Sequence, residues 1–194
     1  MEEQDLPKEA MDQVAALRAQ GEKLNFLISS LVKLSRLETG VFTLHPVFGN
    51  IAPMLEEVTE QFEGKAVEKG ISLITKTTEI CGVFDYKWTT EALCNLVDNG
   101  VKYTPEGGSI HISVKEYELF IRIDVADTGI GISEEEQAKV FGRFYRSPSV
   151  SRQEGAGIGL YLTREILAGQ GGYIKVASSP GNGSVFSMFL PQKA

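Results

Sequence analysis

The chain has 194 residues, 42% of them hydrophobic and 23% charged, which suits one compact domain plus a short appendage. Its net charge of −7, with no Lys/Arg run and no basic–aromatic interleaving, argues against a nucleic-acid partner. No apolar run approaches the ~18 residues that cross a bilayer, the acidic start MEEQDLPKEAMD is no signal peptide, and Cys81 and Cys94 make no metal spacing, so a reduced, cytoplasmic protein is expected.

Residues 8–38 read as one long helix. Ala10, Leu17, Leu24 and Leu31 repeat every seven residues, and Leu27 and Leu34 add the +3 positions of a bundle or coiled-coil seam. Gly40 is a stop signal. The segment VFTLHPV (41–47) alternates enough for a strand. Residues 51–69 read as a helix, ISLITKT and CGVFDY as strands, and Asp85 is placed to cap a helix running to about Tyr103. SIHISVKEY and LFIRIDVAD form a hairpin by their alternation. SEEEQAKVF reads as a short helix with Ser133 and Glu136 as a capping box. Residues 142–156 read as a mobile loop and 157–168 as a helix. GGYIKVASS, the turn PGNG, and SVFSMFLP close the domain. The sum is α+β, with several helices on one face of a largely antiparallel sheet.

Four stretches carry residues that packing alone does not require. In NLVDNGVKYT, the apolar stripe Leu93, Leu96, Val97, Gly100, Val101 is backed by Asn95, Asn99 and Lys102, two carboxamides and an ammonium at helical spacing. Asn is a mediocre helix former, so a solvated face would favour Glu or Lys. DTGIGI places Asp127 at a strand end, where a buried carboxylate can accept from an exocyclic amine; a turn with a helix cap is the plainer alternative. In FGRFYR, two aromatics anchor a segment from which Arg143 and Arg146 reach outward, and the guanidinium fork suits phosphate. An amphipathic turn with solvated arginines would look the same. GAGIGL opens a helix, and backbone N–H groups there bind anions. It lacks the Gly-Lys-Ser/Thr of a P-loop, and Leu160 occupies the third Gly position of a Rossmann fingerprint.

Together and in this order, NLVDNGVKYTPEGG, DTGIGI, FGRFYR and GAGIGLYLTREI resemble the N, G1, F and G2 boxes of the ATP-binding domain of sensor histidine kinases. The resemblance covers about residues 41–191. It implies the Bergerat fold, a two-layer α/β sandwich with a mixed, mostly antiparallel sheet, as a catalytic domain spanning 41–194. Residues 1–40, ending LNFLISSLVKLSRLETG, resemble the second helix of that family's dimerisation and phosphotransfer hairpin.

The resemblance also implies roles. Asn99 would ligate Mg²⁺ and Asn95 would help position the metal and phosphates. A neutral carboxamide offers oxygen without repelling an anionic nucleotide. Lys102 would neutralise phosphate charge, with Tyr103 packed near the nucleotide. Asp127 would accept the adenine amino group, and Gly129 and Gly131 would shape its pocket. Arg146 would face phosphate, with Tyr145 beside the nucleotide. Gly155, Gly157 and Gly159, followed by Leu160, would bracket the phosphates, and 142–156 would be a lid over ATP. Asn95, Asn99, Lys102 and Arg146 form the expected catalytic set, acting by position and charge. In gyrase-type ATPases the residue matching Asn95 is Glu, which activates water. Asn cannot be that base, which favours transfer over hydrolysis.

The family's phosphoacceptor motif H-E-x-R has no match here, because His45 precedes Pro46 and His111 lies within a strand. The chain is therefore expected to begin between the two hairpin helices and not to phosphorylate itself. Its partners would be the absent first hairpin helix, a second copy in a full-length homodimer, and a response regulator. The full-length protein would be membrane-associated. Gly100 stands where Ala is usual, at up to ~1 kcal/mol of helix stability, and Ala156 where Thr or Ser is common. Two other readings stand beside the kinase fragment: a degenerate nucleotide-binding or docking module, and a Bergerat-fold serine kinase or ATPase.

Overall fold

The computed structural model describes residues 43–150 and 157–193, with scattered positions between 10 and 35. The chain divides into two units, Met1–Val41 and Phe42–Ala194. In the first, every described position from 10 to 35 is helical (α1). Leu17 and Leu24 of the heptad repeat are 69% and 58% exposed. Leu27 and Leu34 lie outside the described residues, as does Gly40.

The second unit runs β1 (Val47–Asn50), α2 (Ala52–Glu68), β2 (Ser72–Thr75), β3 (Cys81–Phe84), α3 (Tyr86–Tyr103), β4 (Ser109–Glu116), β5 (Phe120–Asp127), α4 (Glu134–Gln137), a 3₁₀ turn Pro148–Val150, α5 (Gly159–Ala168), β6 (Tyr173–Ser178) and β7 (Ser184–Pro191). The main sheet has the order β2-β4-β5-β7-β6, and β1 pairs with β3 in a separate two-stranded sheet. Only β2 and β4 are parallel among the described pairs.

Alternation decides which face is covered. Ile110 and Ile112 of β4 and Ile121, Ile123 and Val125 of β5 are buried, and α3 contributes Leu93, Leu96, Val97 and Val101 to the same core. Each such side chain stabilises the fold by roughly 1.5–3 kcal/mol. Gly100 belongs to this seam: a Cβ there would meet Ile110 Cδ1 at 3.1 Å, so the glycine lets α3 lie close on β4. Asp85 caps α3 as expected, its Oδ1 accepting from Trp88 N at 3.1 Å.

Two local expectations change. The first strand lies at Val47–Asn50, after the segment expected to hold it. Pro46 has no N–H to give a ladder, and the His45 N–H donates to Asp85 Oδ2 at 2.9 Å. The helix expected over SEEEQAKVF is one turn, Glu134–Gln137, and Ser133 makes no side-chain cap. Its hydroxyl donates to the Glu136 carboxylate instead, at 2.9 Å.

Candidate functional site

At the C-terminal end of β5, the chain leaves the sheet and meets the end of α3. Asp127 Oδ1 accepts from Gly129 N at 2.8 Å. Ile130 N donates to Tyr103 O at 3.3 Å. Gly129 fits between these groups because a Cβ would lie 2.6 Å from Asp127 Oδ1 and 2.7 Å from Tyr103 O. Gly131 takes φ 72°, and a Cβ there would lie 2.0 Å from Ser179 O. The Asp127 carboxyl is raised above its ordinary range because burial strips its water, while N–H groups of Gly129 and Ser184 pull the other way. A desolvated carboxylate with a lone pair to spare at a strand end is an acceptor for an amine.

Asn95, Asn99 and Lys102 lie on α3, half-buried, and Asn95 borders the start of α5. A Cβ on Gly159, the first residue of α5, would approach Asn95 Oδ1 at 3.4 Å. Asn95 Nδ2 is buried and has no hydrogen-bond partner among the described residues. A buried amide left unsatisfied is expensive, and a polar ligand at this place would relieve it. Leu160 follows on the same first turn. Lys102 is paired with Asp98 one turn back, and Asp98 also lies 4.0 Å from Lys65.

The aromatic–arginine segment lies against Gly157, two residues before α5. Phe141 stands edge-on to Phe186, with centroids 6.4 Å apart, which is the expected anchor. Tyr145 donates its hydroxyl to Glu136 at 3.2 Å, and Arg146 donates to Val150 O at 2.9 Å. Hydrogen bonds from Ser147 and Ser133, in that order, hold the Glu136 carboxyl below its ordinary range. Gly157, with φ 68°, passes so close that a Cβ would lie 2.6 Å from Tyr145 O. Gly155, Ala156 and much of the expected lid lie outside the described residues.

Thus Asp127, Gly129, Gly131 and Tyr103 meet at one end of the site, and Asn95 and Gly159 at the other. Lys102, Tyr145 and Arg146 are engaged by neighbours within the protein. Lys69 escaped the sequence reading. Its ammonium donates to the carbonyls of Val101 and Lys102 at 2.6 and 2.7 Å, closing the C-terminus of α3 where the helix dipole favours a cation. A lysine at the end of α2 carries no local signal of that contact.

A half-buried acceptor at a strand end, together with a carboxamide-bearing helix and a glycine-opened helix, suits a nucleotide. The chain belongs to the family described as histidine kinase-, DNA gyrase B- and HSP90-like ATPases, which matches residues 84–194. It is the catalytic ATP-binding domain of the sensor histidine kinase branch. The chain is 34% identical over 176 residues to sensor protein kinase PmrB of Pseudomonas aeruginosa, covering 88% of this chain and 36% of the relative. It is similar to full-length ShkA solved with AMPPNP, at a TM-score of 0.81 and 28% identity, covering 98% of this chain and 40% of that one. The histidine kinase ThkA, solved in complex with the response regulator protein TrrA, shares the fold at a TM-score of 0.77 and 23% identity, with coverage of 97% and 53%. The chain spans less than half the length of the curated relatives it matches.

Proposed function

We propose that this chain binds Mg-ATP and transfers the γ-phosphoryl group to a histidine on a helix that the chain does not itself carry. Support comes first from Asn95. Its buried Nδ2 has no partner among the described residues, and its carboxamide borders the start of α5 and cannot act as a base toward water. Catalysis by such residues is positioning and charge compensation. Asp127 would hold the adenine amine. The N–H groups that open α5 from Gly159 on, with Gly157 before them, would take phosphate oxygens. Lys102 and Arg146 would compensate charge once they exchange their present partners for phosphate.

A magnesium ion would suit the carboxamide oxygens of Asn99 and Asn95, neutral oxygen donors one helical turn apart on α3, which would hold the metal. Bound there, Mg²⁺ would neutralise charge on the phosphate oxygens. Neither histidine lies in an H-E-x-R sequence on a helix: His45 precedes Pro46, and His111 lies in β4. In the whole protein we infer a homodimer through α1, whose Leu17 and Leu24 are exposed, a response regulator as the next acceptor, and membrane attachment by other segments.

The test is phosphotransfer from γ-labelled ATP, with and without an added histidine-bearing hairpin helix. Label on the added helix and none on this chain is the expected result. Label on neither, from a sample that binds ATP, would favour a docking module. ATP hydrolysis by the chain alone, well above background, would favour an ATPase.

A further inference from the structure

The turn between β6 and β7, which the sequence marks only as PGNG, is bound to the Asp127–Ile132 loop. Ile132 N donates to Ser178 Oγ at 2.8 Å, and Gly181 N donates to Ile130 O at 2.8 Å. The Gln137 amide bridges the two segments, donating to Ser178 O at 2.8 Å and to Ile132 O at 3.2 Å. Gly183 has φ 74°, and a Cβ on it would lie 1.9 Å from Asp127 O, so the turn presses on the backbone of the acceptor residue itself. The next residue, Ser184, gives its N–H to the Asp127 carboxylate.

Ser178 stands at the junction. Its hydroxyl accepts from the loop, at Ile132, and donates back across its own turn to Gly183 O at 2.7 Å, with Ser184 Oγ 3.0 Å away. One oxygen therefore fixes the loop against the turn on the residues that border Asp127. A hydroxyl can accept and donate at once, which neither alanine nor a backbone group could do there.

We propose that Ser178 is a positioning residue for adenine recognition: it holds the β6–β7 turn and the Asp127–Ile132 loop in the register that aims the Asp127 carboxylate at the base. It acts through Asp127 and needs no contact with the nucleotide. The inference rests on the nucleotide-site reading above.

The test compares Ser178→Ala and Ser178→Thr with Ser187→Ala by calorimetric titration and thermal melting. Ser187 is a fair control, because its hydroxyl also donates within the sheet, to Asp124 Oδ1 at 2.6 Å, but touches no part of the loop. Ser178→Ala is expected to bind an ATP analogue about tenfold more weakly, the effect of one polar contact, with a smaller preference over the GTP analogue. Ser178→Thr, which keeps the hydroxyl, should stay near wild type, and Ser187→Ala should move only the melting temperature. Wild-type affinity and base preference in Ser178→Ala, or equal losses in Ser178→Ala and Ser187→Ala, would overturn the proposal. If Ser178→Ala does not fold, Ser178→Cys, a weaker acceptor of similar size, takes its place under the same criteria. A folded wild type that binds no ATP analogue would overturn the nucleotide-site reading, and this inference with it.

Discussion

At the Asp127 end of the site, the backbone does the holding. Asp127 is fixed by the N–H groups of Gly129 and Ser184, and close glycine contacts leave the loop almost no room to shift. At the Asn95 end, side chains do the holding, and several are turned toward the protein. Lys102 pairs with Asp98, Arg146 with Val150 O, and Tyr145 with Glu136, while Asn95 Nδ2 has no partner among the described residues. The contrast teaches that the two ends pay different entry costs. On the proposed function the Asp127 end would take adenine preorganised, so its contacts would add to affinity with little rearrangement. The Asn95 end would trade internal contacts for phosphate contacts, so its net gain would be smaller and would depend on metal.

The largest effect should come from the preorganised end. Asp127→Ala is expected to weaken an ATP analogue by about a hundredfold or more, since it removes a charged acceptor from a formed pocket. A normal melting curve with calorimetrically silent titration is the expected pair of results. Unchanged affinity would remove Asp127 from the pocket.

The same residue predicts a pH dependence with two opposite signs. Its folded-state pKa is raised by burial, so its contribution to ligand-free stability is fully present below the unfolded value and is lost as pH rises through the folded one. Nucleotide binding needs the ionised acceptor, so affinity should rise over that same window, just above the ordinary carboxylate range. Titrations and melts across the acid range check both slopes. In Asp127→Asn both should disappear.

Asn99→Ala should come next, with about a tenfold loss in Mg²⁺ and a smaller one in EDTA. Equal losses would argue against metal ligation. The smallest effect is expected at Asp98→Ala, which releases Lys102: two- to threefold tighter binding of ATP analogue, in line with a partly exposed pair worth up to about 1 kcal/mol. Adenosine, which lacks phosphates, should not respond. If Asp98→Ala weakens ATP, Lys102 needs that partner to be in place.

Much of this was legible in the sequence where the signal is local. The Asp85 cap, the β4–β5 hairpin and the α3 stripe follow from spacing, and each appears where the pattern puts it. Asn95 and Asn99 could be singled out because carboxamides are poor choices for a solvated helix face, whereas Asp127 and Gly159 stood out only through the order of the four motifs. What stayed hidden depends on pairs far apart in the chain. Ser133 and Glu136 have the spacing of a capping box, but Tyr145 and Ser147 compete for the carboxylate. Pro46 blocks a strand that alternation favoured, and His45 spends its N–H forty residues away on Asp85. The PGNG turn looks generic because its work is done through backbone atoms and Ser178, which meet the Asp127 loop only in the folded sheet.

The most direct measurement is a calorimetric titration of the chain with a non-hydrolysable ATP analogue, with and without Mg²⁺, beside the matching GTP analogue. Saturable binding in the micromolar to sub-millimolar range is expected, stronger for adenine than for guanine and strengthened by Mg²⁺. A folded sample that binds neither analogue, or binds both equally, would contradict it.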